Sequence, residues 1–236
     1  MRTFLFLLCT LSCAAQTAEQ IIEKSIAATG GRAAMEKVTS MASKGLMGVS
    51  ARQMRNTVEF YAKAPNKRLS VMFFEGVGEM RQGFDGTVAW TQMPMEEAIE
   101  VTGAQLAGVK REAVFNPALK WRELFPKAEM KGVEKAGDRQ MYAIVLTPST
   151  GKTVAQYYDT ETFLLVRQSG NFETPQGPMD VSVEFSDYRD IGGGVKTPFR
   201  IRQVTPMGDV FMKITEMKAN AEIDDAKFAK PARKNP

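Results

Sequence analysis

Apolar and polar residues alternate with a period of two over most of this chain, a pattern that predicts strands. Between Arg55 and Lys63, Val58, Phe60 and Ala62 alternate with Thr57, Glu59, Tyr61 and Lys63. Met179, Val181, Val183 and Phe185 alternate in the same way with Asp180, Ser182, Glu184 and Ser186. Comparable stretches at 40–50, 67–74, 79–84, 87–92, 129–135, 139–147, 152–158, 164–172, 195–205 and 210–219 bring the candidates to about a dozen. Turn signals such as Asp85-Gly86, Gly137-Asp138 and Gly192-Gly193-Gly194 separate many of them. Such short connections imply an antiparallel meander rather than βαβ units.

Two segments follow a helical period instead. Thr17-Ala18-Glu19-Gln20 has the form of a capping box, and Ala18, Ile22 and Ile26 then form one apolar stripe with Ile21 beside it. Gly30-Gly31 ends this helix, and Arg32–Lys37 predicts a second with Met35 turned inward. The other exception is an insert at 102–125, with Leu106, Val109 and Val114 before Asn116-Pro117, and Leu119, Trp121, Leu124 and Phe125 after it. It predicts two short helices.

Some strands are apolar on both faces. Met141, Ala143 and Val145 share one face of their strand while Tyr142, Ile144 and Leu146 share the other. A sheet wet on one side does not need this, so the second face is covered by helices or lines an apolar cavity. The expected fold is mostly β with α, an incomplete antiparallel β-barrel (a half-barrel of about 11 strands) with helices covering the concave side.

Charge and composition narrow the chemistry. The chain has 236 residues and a formal charge of +4, with scattered basic residues that form no nucleic-acid footprint. It has no histidine, which excludes Ser-His-Asp and Cys-His catalysis and His-ligated zinc. Its two cysteines, Cys9 and Cys13, lie in a segment with Arg2, a short apolar run and Cys13-Ala14-Ala15, the layout of an export signal over residues 1–15. The expectation is therefore a periplasmic protein whose working part, 16–236, is one domain: helices at 17–37, strands, and the insert. Lipidation at Cys13 is the other reading of this segment.

Enzyme signatures are thin. Gly151-Lys152-Thr153 resembles the end of a P-loop, but Leu146 stands where that motif needs glycine. The acidic pairs Asp187 with Asp190, Asp159 with Glu161, and Asp224 with Asp225 read as solvated turns rather than as a carboxylate hydrolase or a calcium site. No catalytic group, metal or cofactor is expected. The 15 methionines suit another task, because an unbranched thioether adapts to irregular apolar partners.

Several short motifs, in order, resemble the periplasmic outer-membrane lipoprotein carrier, or LolA/LolB-like, superfamily. Asp85-Gly86-Thr87-Val88-Ala89-Trp90 is similar to its Asp-Gly-x-x-x-Trp hairpin, Lys63-Ala64-Pro65-Asn66 to its Arg-Pro-Asn step, and the 223–231 stretch with Lys227-Phe228 and Pro231 to its terminal segment. Gly30-Gly31 and the stretch from Tyr188-Arg189 to Pro198-Phe199 resemble a lipoprotein-sorting branch.

The resemblance implies an apolar concavity that receives acyl chains beneath helices, an acylated cargo (lipoprotein or lipid), transient inner- and outer-membrane partners, and a monomer. The candidate lining is Phe60, Met72, Phe74, Trp90, Met93, Met95, Leu106, Val109, Trp121, Leu124, Phe125 and Met141. One departure is plain: Ala64 occupies the position of the arginine that in the carriers bonds the lid. The alternative is a cell-envelope interaction module with the same fold and a filled core.

Overall fold

The computed structural model describes residues 16–50, 53, 55–149, 152–174 and 177–232. The export segment at 1–15, Gly151 of the P-loop-like triplet, Met54 and the last basic residues Arg233 and Lys234 lie outside the described residues.

Among the described residues, all strands join one antiparallel sheet of thirteen. Its first half is a meander of β1 (Ser40–Gly48), β2 (Asn56–Lys63), β3 (Lys67–Phe74), β4 (Gly78–Phe84), β5 (Ala89–Gln92) and β6 (Ile99–Glu100). The second half runs back through β7 (Lys127–Ala136), β8 (Arg139–Thr147), β9 (Val154–Asp159), β10 (Leu165–Thr174), β11 (Gly177–Asp190), β12 (Lys196–Thr205) and β13 (Gly208–Ala219). β13 pairs with β1 and joins the halves, leaving β6 and β7 as the two edges, so the sheet is open. The two-residue edge strand β6 has no counterpart among the expected strands. The β5 strand begins later than the alternation suggests because the Asp85 carboxylate accepts from the Thr87 and Val88 amides and holds the turn.

The N-terminal capping box forms as expected. The Gln20 amide donates to Thr17 Oγ1 at 3.3 Å, and the Thr17 amide donates to Gln20 Oε1 at 3.0 Å. It starts α1 (Ala18–Ala28), which is followed by α2 (Arg32–Glu36). The insert is α3 (Gly103–Glu112), a 3₁₀ turn at Pro117–Lys120 and α4 (Trp121–Leu124). It leaves one edge strand and returns at the other. No helix among the described residues is long and apolar enough to cross a membrane.

The helices lie on one face of the sheet, the inner face. Ile21, Ile22 and Ile26 of α1 pack with Ile144, Leu146 and Tyr158, and Met41 joins them. Cross-strand neighbours then carry this face from Met41 through Ala62 and Arg68 to Phe84, where α3 packs. On the outer face the row Ala42, Tyr61, Leu69, Gly83 and Trp90 is covered by Ile223 and Phe228 of the C-terminal segment.

Candidate functional site

Antiparallel register places directly opposed residues on the same face, so the inner face can be read row by row. One row is Ser43, Phe60, Ser70 and Gln82. The next is Gly45, Val58, Met72 and Met80, with Ile214 on the other side of Gly45. Beyond it Met47 pairs with Met212, and Met212 with Ile201. Among the described residues, nine methionines lie in strands. Met41, Met47, Met72, Met80, Met130, Met179, Met212 and Met217 are on the inner face, and Met141 alone is on the outer.

Met47, Val58 and Ile214 are buried, at 8%, 0% and 2% exposure, yet belong to none of the three packed clusters. The sheet approaches itself closely here. A Cβ on Gly45 would stand 2.5 Å from the Lys213 carbonyl oxygen at a β-bulge between β1 and β13. The face also carries polar side chains. Tyr158 Oη donates to Gln156 Oε1 at 2.5 Å, and Gln156 donates to Gln168 at 2.9 Å. Burial pushes the Tyr158 phenol well above its ordinary range.

The insert crosses this face, with α3 touching both β5 and β10. Its Leu106 and Val109 pack on Phe84, Ala89 and Ala113. Arg68 donates to Glu112 at the end of α3 at 2.9 Å, and the Phe115 amide donates to the Pro65 carbonyl at 3.0 Å. Ala64 is exposed, so the arginine that meets α3 stands four residues further on. At the far end the Glu23 carboxylate accepts from Arg32 at 2.8 Å, Trp121 Nε1 at 3.1 Å and Arg122 at 2.8 Å. Partial burial opposes its ionisation, but the hydrogen bonds from these three residues outweigh it and lower the carboxyl to about 2.

The expected lining residues divide accordingly. Phe60, Met72 and Phe74 share the inner face, with Leu106 and Val109 on the helix over it. Trp121 and Phe125 pack in the α1 cluster, and Leu124 is half-buried beside them in sequence. Trp90 is on the outer face, where its Nε1 donates to the Phe228 carbonyl at 2.9 Å. Met141 is buried on the outer face, in the wall of a cleft of about 670 Å³. Met93 and Met95 are exposed at one end of the sheet, beside a cleft of about 860 Å³ that Ile99 and Lys230 also line.

The acidic pairs hold turns and cations. Asp159 accepts from the Glu161 and Thr162 amides, Asp187 pairs with Arg189, and Asp225 pairs with Lys63 and Lys67. No group of three metal-ligating side chains occurs among the described residues.

These elements define an open antiparallel half-barrel that sets a methionine-rich face beneath a helical strap. The same architecture recurs in solved structures. A LolA superfamily protein from Nitrosomonas europaea matches with TM-score 0.59 and 16% identity over 92% of this chain and 99% of that one. An outer membrane lipoprotein-sorting protein domain from Vibrio parahaemolyticus matches with TM-score 0.56 and 10% identity over 89% and 95%. A DUF1329 family protein from Desulfovibrio piger gives 0.52 and 11% over 91% and 98%. No family model and no curated protein sequence matches the chain. The chain thus has a LolA-like fold.

Proposed function

We propose that this protein is an exported carrier that shelters the acyl chains of a lipoprotein or lipid against the inner face, under α3, and passes them towards the outer membrane without covalent chemistry. The observation that carries this reading is the segregation of strand methionines to the inner face, around side chains that are buried without joining a packed cluster. Burying a methylene gains about 0.8 kcal/mol, so a diacyl cargo leaves a membrane for water only when its chains remain covered. An adaptable thioether surface can cover them at little cost in specificity. The LolA-like fold and the lipoprotein-sorting domain that shares it support the same reading.

The test is expression of residues 16–236 in a bacterial periplasm, mass spectrometry of co-purified lipid, and displacement of a fluorescent lipid from the purified protein. A bound acylated molecule is the expected result. Absence of any lipid, with no displacement signal, would leave the fold serving as an envelope interaction module instead.

A further inference from the structure

Opposed residues on β12 and β13 set two cations side by side on the outer face. Arg200 pairs with Lys213 in the antiparallel register, and their row continues to Ser186 on β11 and Leu46 on β1. Directly opposed side chains have Cβ atoms about 5 Å apart, and like charges at that spacing destabilise a sheet. The row itself supplies no carboxylate to offset them. The next row does so for its own cation: Arg202 donates to Glu184, directly opposite, at 3.2 Å and to Asp209 at 2.6 Å. Among the described residues, Arg200 meets one carboxylate, Asp187 at 3.6 Å, which Arg189 already engages at 2.7 Å. Lys213 forms no ion pair among the described residues. The hydrogen bond from Arg189, then the charges of Arg189, Arg200 and Lys213, hold the Asp187 carboxyl below its ordinary range, so one carboxylate serves three cations. Ser186, Arg200 and Lys213 are exposed and line the cleft of about 670 Å³ whose wall includes Met141. Arg167 stands in the same wall, and although it meets Glu134 at 3.3 Å, its Nε is buried without a hydrogen-bond partner among the described residues. The cleft is short of acceptors.

From this surplus of donors we infer that the outer face binds a phosphate group between Arg200 and Lys213, with the Ser186 hydroxyl beside them. A tetrahedral oxyanion accepts charge-assisted hydrogen bonds from both cations at once and cancels the repulsion between them. The same group is presented by a soluble phosphate ester and by an anionic lipid headgroup. The cleft has room beyond the phosphate itself, and Met141 and Phe211 offer apolar surface to an organic portion. This site is on the face opposite the one assigned to acyl chains, so it does not depend on the carrier reading.

The test uses the exported protein, residues 16–236. Calorimetric titration measures binding of inorganic phosphate and of glycerol 3-phosphate in chloride buffer at constant ionic strength. Flotation measures capture by phosphatidylglycerol vesicles against phosphatidylcholine vesicles. Saturable binding is expected, the soluble arms reporting a free phosphate or ester and the vesicle arm a headgroup. Arg200→Gln combined with Lys213→Gln is expected to weaken it by about tenfold for each charge-assisted bond removed. Lys110→Gln combined with Lys131→Gln removes the same charge outside the cleft and is expected to leave binding unchanged. The melting temperature of the wild type should also rise when phosphate replaces chloride, a shift that the Arg200, Lys213 double variant loses. No saturable binding of phosphate, glycerol 3-phosphate or anionic vesicles by the wild type overturns the inference. Binding that survives in the Arg200, Lys213 double variant overturns it, and so does an equal loss in both double variants.

Discussion

The Trp90 indole occupies the space that a side chain at Gly83 would need: a Cβ there would lie 2.3 Å from the ring. The two residues face each other across β4 and β5, and Gly83 is also opposite Leu69. The ring is fixed by its bond to the Phe228 carbonyl, so it cannot tilt away without losing that bond. Gly83→Ala is therefore expected to lower stability by about 1–3 kcal/mol, the usual cost of overpacking. Thermal or urea unfolding checks this, and a melting temperature within a degree of wild type contradicts it.

Phe228 is fully buried against Leu69 and Trp90, 138 residues away from its indole partner in sequence. Phe228→Ala is expected to cost about 3–5 kcal/mol. It should also expose the Trp90 ring, read as a red shift of tryptophan emission. Loss of stability without a change in emission would assign the cost to another contact.

Acid should loosen the junction of α1, α2 and the insert. The Glu23 carboxyl is lowered from 4.5 to about 2 in the folded protein. A depressed carboxyl contributes stability that is complete above its unfolded value, declines as pH falls below 4.5, and is gone near pH 2. Wild type and Glu23→Gln are expected to differ in melting temperature at pH 7 and to converge on acidification towards pH 2. A gap that does not narrow would show that Glu23 acts through shape rather than charge.

The strap should respond to Arg68. Its pair with Glu112 is partly exposed, so it contributes about 0–1 kcal/mol. Under the carrier reading, Arg68→Glu is expected to speed release of a bound fluorescent lipid by up to about fivefold. Combining it with Glu112→Arg should restore the wild-type rate. Unchanged release in the single variant would separate this pair from lid control, and an arginine introduced at Ala64 would then be the comparison to make.

Much of the fold follows from local pattern. Thr17 and Gln20 are three residues apart and make their capping bonds within that span, so α1 could be read directly. The alternation around Val58 and Met179 likewise identified strands. What local pattern could not supply was which face is inner. Ala89 and Trp90 alternate as any strand residues do. Trp90 faces outward because the segment at 223–228 covers that side, a contact with no signature near residue 90. Met141 faces outward with Ala143 and Val145, while Ile144 and Leu146, on the opposite parity, meet α1. The methionines carried a partial signal, because Met41 and Met47 keep to one parity, whereas Met212 and Met217 share a face only through the bulge between them.

Among the described residues, the insert joins the two strands that lack a second neighbour. The rims of the sheet are therefore tied together by one covalent span, residues 101–126, that begins on β6 and ends on β7. A flap hinged at one end can swing while the wall behind it stays still. A tie anchored on both rims cannot. It clears the inner face only by uncoiling its own short helices or by drawing the rims with it, so access and wall curvature are mechanically one variable.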